Sequence, residues 1–412
     1  MSPLVTTLCD ACRALVAIGD EPKADAVAEL VLHRYDELSP SDRLDFLAVL
    51  GRDFGVDRAV LDTAIATLGD AGPDELDRLT DATRSERWRL FQALNRAPGG
   101  TPALLSLRAD VLRALRSTPE LQPVEHDLRR LFNLWFNRGF LELVQLTWAT
   151  PARVLERLID YEAVHEITGF DDLRRRLDAR DRRIFAYFHP ALPGDPVIFV
   201  EVALTSGLAT SVDELLADRD AGSAIDAESA DTAIFYSITN CQPGLRGVTF
   251  GDALIKNVTR QLLEELPHLR QFSTLSPVPG FRAWLTDNKA ASALGLTTAE
   301  RARLRRAEQH STTPGQLESL RPMLERATAE YLVHGRRGRL PLDPVARFHL
   351  RNGARLERVN WAADTSERGM AQSFGLMVNY LYDLDAVEEH QEALLHRSEV
   401  AHSPTVAALL DG

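Results

Sequence analysis

The chain has 412 residues, 45% apolar and 26% charged, a globular composition with material for more than one core. A formal net charge of −13 excludes a general nucleic-acid-binding surface but not an anionic ligand met by local positive charge. Three cysteines (Cys9, Cys12, Cys241) are too few for a disulfide framework and fit a reducing compartment, and no apolar run reaches the ~18 residues of a membrane span. The N-terminus lacks a signal-peptide pattern and carries Asp10, which a mitochondrial leader would avoid. The C-terminal Leu410-Asp411-Gly412 is not a peroxisomal address, so a cytoplasmic location is expected.

Residues 1 to about 160 read as helix after helix. Cys9-x-x-Cys12 lies in the first of these, without a second such pair, and reads as two small buried apolar residues and not as a metal or redox site. Ser39-Pro40-Ser41-Asp42 has the capping hydroxyl, first-turn proline and acid of a helix start, and Phe46, Leu47, Leu50 and Phe54 then stripe one face. Breaks at Gly19, Gly69, Gly72-Pro73 and Pro98-Gly99-Gly100 separate the segments, and Thr150-Pro151 opens a helix carrying Leu155, Leu158 and Ile159. The expectation is a helical bundle over residues 1–164 that serves packing or oligomerisation, followed by a different domain over 165–412.

That second part starts with strands at 183–188 and 197–204, joined by the turn Pro193-Gly194-Asp195-Pro196 into an antiparallel hairpin. A strand at 233–239, a helix at 252–266 striped by Leu254, Val258 and Leu262, and a strand at 270–275 follow. Thr297-x-x-Glu300 is a capping box that opens a helical stretch running towards Tyr331. Strands at 356–361 and 376–382 complete an α+β pattern around one mixed sheet.

Three places suit chemistry. The passage from Asn240 to Leu254 carries Gly244, Gly247 and Gly251 just before a helix, where backbone N–H groups and the helix N-terminus make an anion site. It is neither a Walker loop nor a dinucleotide fingerprint, and it resembles the pyrophosphate-binding signature of GNAT acetyltransferases, with Thr249 in place of the first glycine. Ser276 stands where a strand meets Pro277, Pro279 and Gly280, so the ladder is expected to stop there and present the hydroxyl. His349 can exchange a proton near neutral pH if it finds a partner, and Asn379 and Tyr382 either face a cleft or pack across strands. No G-x-S-x-G elbow, HExxH or paired CxxC is present, so neither a hydrolase nor a metal site is expected.

Taken in order, several stretches resemble the malonyl-CoA decarboxylase family. They are Tyr161 to His165, Phe188 to Pro196 with Val202 to Thr205, Ala233 to Ile238, Gly244 to Leu254, Phe272 to Phe281, Pro344 to His349, and Asn360-Trp361 through Tyr382. The resemblance implies a helical N-terminal domain, a GNAT-like catalytic domain, and conversion of malonyl-CoA to acetyl-CoA and CO2 without a cofactor or metal. It also implies a Ser276–His349 pair with Tyr382 nearby, and a homo-oligomer, dimer or tetramer. An active-site Glu of animal members falls at Thr249 here.

The chemistry suits those residue types. Loss of CO2 moves charge from the carboxylate onto the thioester oxygen, where each preorganised donor is worth roughly 10²–10³ in rate. A strong cation on the carboxylate would stabilise the ground state more than the transition state, so a neutral hydroxyl is the better partner. Ser276 is therefore expected to orient the carboxylate and His349 to protonate the enolate carbon, with Tyr382 or a backbone N–H at the oxyanion. Gln242, Gly244, Arg246, Gly247, Val248, Thr249 and Gly251 form the expected coenzyme A site, with Arg246 or Lys256 adding positive charge. A GNAT-type N-acyltransferase and a non-catalytic coenzyme A-binding module are the alternatives on the same fold.

Overall fold

Capping chemistry sets the helix starts. In the computed structural model, which describes residues 2–19, 23–68, 72–217, 226–248, 253–287, 294, 296–309 and 313–411, Ser39 Oγ accepts the N–H of Asp42 at 3.2 Å and a helix begins at the next residue, Pro40. The chain divides into two units: Met1–Glu142, Tyr187–Ile198 and Asn240–Gly251 in one, Leu143–Ala186, Phe199–Thr239 and Asp252–Gly412 in the other.

The first unit holds α1 (Pro3–Ile18), α2 (Ala24–Asp36), α3 (Pro40–Asp53), α4 (Arg58–Ala66), α5 (Pro73–Ala82), α6 (Glu86–Arg96), α7 (Gly100–Ala114) and α8 (Gln122–Trp135). Val5, Leu8, Cys9, Cys12 and Leu15 bury one face of α1, so Cys9-x-x-Cys12 is a pair of free thiols serving as core residues. Phe46, Leu47, Leu50 and Phe54 are buried as their spacing requires.

The all-helical expectation for residues 1 to about 160 fails at β1 (Glu142–Leu146). Between Gly139 and the turn at Thr147–Thr150 there is too little chain to nucleate a stable helix, and pairing with a neighbouring strand supplies the backbone bonds instead. The expected helix after Pro151 is α9 (Ala152–Tyr161), and α10 (Phe170–Asp178) follows.

The sheet contains β1, β2 (Arg182–Phe188), β3 (Ile198–Thr205), β4 (Thr232–Asn240), β5 (Gln271–Thr274), β6 (Ser276–Pro277), β9 (Arg355–Asn360) and β10 (Met377–Leu381); Arg336–Arg337 and Leu340–Pro341 form a small separate hairpin, β7 and β8. Its order is β1-β2-β3-β4-β5-β10-β6, with β9 also paired to β10. β2 and β3 are antiparallel, since Val197 N–H reaches Tyr187 O and Leu204 N–H reaches Asp181 O. β4 and β5 run parallel with Phe235 opposite Thr274, whereas β10 is antiparallel to β5, β6 and β9. Parallel and antiparallel pairs together make the mixed sheet expected of an α+β chain. Apolar residues at both faces of β3 and β4 build the core, Phe199, Val200, Val202, Ile234 and Phe235 among them.

The ladder does not end at Ser276 as the prolines suggested. Leu275 turns its N–H to Phe235 O on β4 at 3.1 Å, and the chain then pairs again, Ser276 with Val378 and Pro277 with Met377. A proline removes a donor but keeps its carbonyl, which an outer strand of the pairing order tolerates. The break at Leu275 divides what would be one strand into β5 and β6. The region expected to be helical from Thr297 does begin with a capping box: Glu300 N–H reaches Thr297 Oγ1 at 3.2 Å and Glu300 Oε2 accepts Thr297 N–H at 2.8 Å.

Candidate active site

Ser276 and His349, 73 residues apart, meet in the second unit: Ser276 Oγ lies 3.2 Å from His349 Nε2. His349 Nδ1 lies 2.8 Å from the hydroxyl of Tyr382, which directly follows β10. All three side chains are buried. Tyr380, two residues before Tyr382 and so on the same face of β10, stacks its ring on the imidazole with centroids 4.7 Å apart. Its own hydroxyl is buried without a hydrogen bond among the described residues. Burial pushes the His349 pKa down to about 3, and burial likewise pushes the Tyr382 hydroxyl well up. At neutral pH this is an uncharged imidazole between two neutral hydroxyls.

The placement follows from a helix cap. His349 lies on the helix Pro344–Arg351, whose N-cap Asp343 accepts the N–H groups of Val345 (2.9 Å) and Ala346 (3.0 Å) through Oδ1. The other carboxylate oxygen accepts Gly280 N–H and Tyr331 O–H, each at 3.4 Å. One buried carboxylate thus ties the helix of His349 to the Pro-Gly corner that follows Ser276. Gly280 is required there, because a Cβ would lie 2.3 Å from the Tyr331 hydroxyl. The sequence signal for this cap, Asp343-Pro344, is an ordinary helix start that the reading of the sequence passed over.

Asn379 does not face a cleft. Its amide nitrogen donates to Thr274 O (2.8 Å) and Ala209 O (3.0 Å), and its oxygen accepts from Asn360 Nδ2 (2.8 Å) and Arg358 Nε (3.3 Å). It is a cross-strand staple beside the break at Leu275. Thr274, which receives the Ser276 hydroxyl at 2.8 Å, also escaped the sequence reading.

The glycine-bearing turn belongs to the first unit. Gly244 is a glycine because of α7: a Cβ would lie 2.2 Å from Leu105 O. Its close approach is therefore to protein backbone, and the ligand-facing role expected for it is not available on that side. Buried Arg108 of α7 donates to the carbonyls of Gly244 and Arg246 (2.9 Å for the second) and to Glu125 Oε1 at 2.8 Å. Gln242 spends its amide on Pro196 O at 3.1 Å. Gly247 has φ +77° with open space around it, Arg246 is exposed and Val248 is buried. Thr249 and Gly251 lie outside the described residues, so the turn is seen only up to Val248. Lys256 is on the helix Ala253–Glu265, half-buried.

A second polar cluster fills the other unit's interior between α10 and the sheet. Arg176 reaches Glu201 (3.4 Å), Asp172 (3.1 Å) and the carbonyls of His165 and Glu166, and Tyr236 O–H donates to Glu201 at 2.6 Å. Glu162 takes Ser237 (2.9 Å) and Thr239 (3.0 Å). No group of three or more His, Cys, Asp or Glu side chains able to hold a metal occurs among the described residues. No helix among them is long and apolar enough to cross a membrane.

Comparison with known proteins gives consistent results. The family described as malonyl-CoA decarboxylase C-terminal domain matches residues 139–412, and its N-terminal domain counterpart matches 54–136. The chain is 35% identical to the mitochondrial malonyl-CoA decarboxylase of Anser anser anser, across 93% of this chain and 82% of that protein. It is 34% identical to that of Rattus norvegicus, across 81% and 73%. The crystal structure of malonyl-CoA decarboxylase from Rhodopseudomonas palustris aligns with a TM-score of 0.91 at 42% identity, covering 99% of this chain and all 100% of that one. The one from Agrobacterium vitis aligns at 0.89 and 43%, covering 98% and 99%.

Proposed function

The chain belongs to the malonyl-CoA decarboxylase family, and from that premise we propose that it is a carboxy-lyase whose Ser276, His349 and Tyr382 convert malonyl-CoA to acetyl-CoA and CO2. The observation that carries the assignment is the buried line of contacts, 3.2 Å from Ser276 to His349 and 2.8 Å from His349 to Tyr382. It contains no charge.

Each residue has one task in this mechanism. Ser276 turns its hydroxyl onto the malonyl carboxylate and orients it. Because the imidazole is neutral, no cation stabilises the carboxylate, and the barrier to losing its charge is not raised. As CO2 leaves, the bonding pair becomes the enolate, and His349 passes the Nε2 proton to the enolate carbon, whose conjugate C–H is a far weaker acid than an imidazole N–H. The proton lost from Nε2 is replaced there from solvent once acetyl-CoA has left, so one proton is consumed per turnover. Tyr382 is engaged at Nδ1, which assigns it to the imidazole and leaves the thioester oxyanion to backbone N–H groups. Every step uses the chain and its substrate alone. In the same reading Arg246, Gly247 and Val248, with Thr249 and Gly251 beyond them, hold the coenzyme A pyrophosphate.

Three free, buried cysteines fit a reducing compartment, taken here as the cytoplasm, and a homo-oligomer, dimer or tetramer, completes the proposal. Cell fractionation and light scattering test these two points.

The decisive assay supplies malonyl-CoA without an amine acceptor and measures CO2 and acetyl-CoA. Release is expected, and none above background would overturn the reading. His349→Asn should lower turnover by roughly 10²–10⁴ as loss of the general acid, and Ser276→Ala by at least about tenfold. Unchanged turnover in either folded variant would reject the residue assignment.

A further inference from the structure

Resting on that reading, we infer that Thr274 is a positioning residue that sets the direction of the hydrogen-bond line and thereby decides which imidazole nitrogen carries the proton. Thr274 ends β5, fully buried, two residues before Ser276. Its Oγ1 accepts the Ser276 hydroxyl at 2.8 Å and the backbone N–H of Tyr380 at 3.2 Å.

A serine hydroxyl has a single proton. With that proton directed to Thr274, the 3.2 Å contact from Ser276 Oγ to His349 Nε2 is an N–H donation by the ring. A neutral imidazole has one N–H, so Nδ1 is bare and takes the Tyr382 hydroxyl proton at 2.8 Å. The line therefore runs one way, Tyr382 to His349 to Ser276 to Thr274, and the acidic proton sits on the nitrogen next to Ser276. The backbone N–H of Tyr380 fixes the end of the line, since it holds Thr274 Oγ1 as an acceptor from the β10 side.

The consequence for catalysis follows from what Ser276 does without that acceptor. If Thr274 lacks Oγ1, the best remaining neutral acceptor for the Ser276 proton is His349 Nε2. The ring must then carry its proton on Nδ1, pointing at Tyr382, and Nε2 has nothing to give the enolate carbon. With Thr274 in place, the Ser276 hydroxyl leaves a neutral acceptor for the charged malonyl carboxylate and returns as CO2 departs. The charge-assisted bond weakens along the reaction while the Thr274 bond does not, so the exchange favours the transition state over the bound substrate.

The test uses the full chain with Thr274→Val, nearly isosteric but without the acceptor, and Thr274→Ser, which keeps it. Thr274→Val should lower kcat about tenfold, the worth of one neutral hydrogen bond, and leave KM for malonyl-CoA within about twofold. Thr274→Ser should restore kcat. Nitrogen-15 NMR of histidine-labelled protein without substrate should show His349 with Nε2–H in the wild type and in Thr274→Ser, and Nδ1–H in Thr274→Val. A wild-type ring protonated on Nδ1, or an undiminished kcat in folded Thr274→Val, overturns the inference. A wild type without decarboxylase activity would remove the reaction assigned above, while the NMR spectra would still decide the direction of the line. If Thr274→Val does not fold, the wild-type spectrum and the Thr274→Ser kinetics carry the decision.

Discussion

His349 and His165 are both buried in the second unit, yet one lies among neutral hydroxyls and the other among charges. Burial is the whole cause of the depressed His349 pKa. His165 is also depressed by burial first, but Glu162 and Asp364 pull it up and Arg176 and Arg368 push it down. Around Arg176 the chain supplies ion pairs, with burial and Glu162 pushing the Glu201 carboxyl up while Arg176 opposes them. Around His349 the groups in hydrogen-bond contact, Ser276 and Tyr382, are uncharged. A cluster that only has to hold an interior together tolerates charges if each is paired. A site that must let a carboxylate lose its charge works better without a fixed cation.

The contrast can be broken most forcefully at Arg176. Arg176→Met takes the guanidinium from Glu201, which keeps the Tyr236 hydroxyl, and from two backbone carbonyls, and unfolding free energy should drop by about 3–5 kcal/mol. His349→Asn should change stability far less while abolishing most turnover. Denaturant titrations of both variants check this, and equal stability losses would erase the distinction between the two clusters. A smaller effect is expected at Tyr382→Phe, which removes the donor to Nδ1: kcat should fall about tenfold with the fold intact. If kcat is unchanged, Tyr382 has no part in holding the ring.

A third test concerns pH. An unfolded histidine titrates near ~6.5, and folded His349 only at about 3. Between those values the unfolded chain binds a proton that the folded one refuses, so stability is complete above about 6.5 and declines as pH falls towards 3. Melting temperatures across that window should fall less steeply for His349→Asn than for the wild type, with the residual slope including His165. Parallel curves would show that His349 does not titrate on unfolding as its burial requires. Turnover, by contrast, should show no His349 ionisation between about pH 5.5 and 8.

Much of this molecule was legible before its structure was known. Ser39 and Thr297 capped the helices they were expected to cap, since a hydroxyl and the N–H three residues on are neighbours in any helix start. The hairpin of β2 and β3 and the strands containing Phe272 and Tyr380 follow from β-branched and aromatic runs between turn residues. β1 was missed because five residues carry too weak a period to overrule the helices around them. Gly244 shows a different limit. A glycine reports that something approaches closely, but only the packing tells whether that is a ligand or the Leu105 carbonyl.

The sequence by itself determined the α+β architecture, the family, and Ser276, His349 and Tyr382 as the candidate residues, because local propensity and ordered motifs are properties of neighbours in the chain. The tertiary structure alone decided that Ser276 rejoins the ladder after Leu275, that Asp343 ties the His349 helix to the Pro-Gly corner, and that Ser276, His349 and Tyr382 meet in one line. Those facts depend on tenths of an ångström between groups 73, 63 and 33 residues apart. The direction of a hydrogen bond is a property of such distances and angles, which no spacing along the chain encodes.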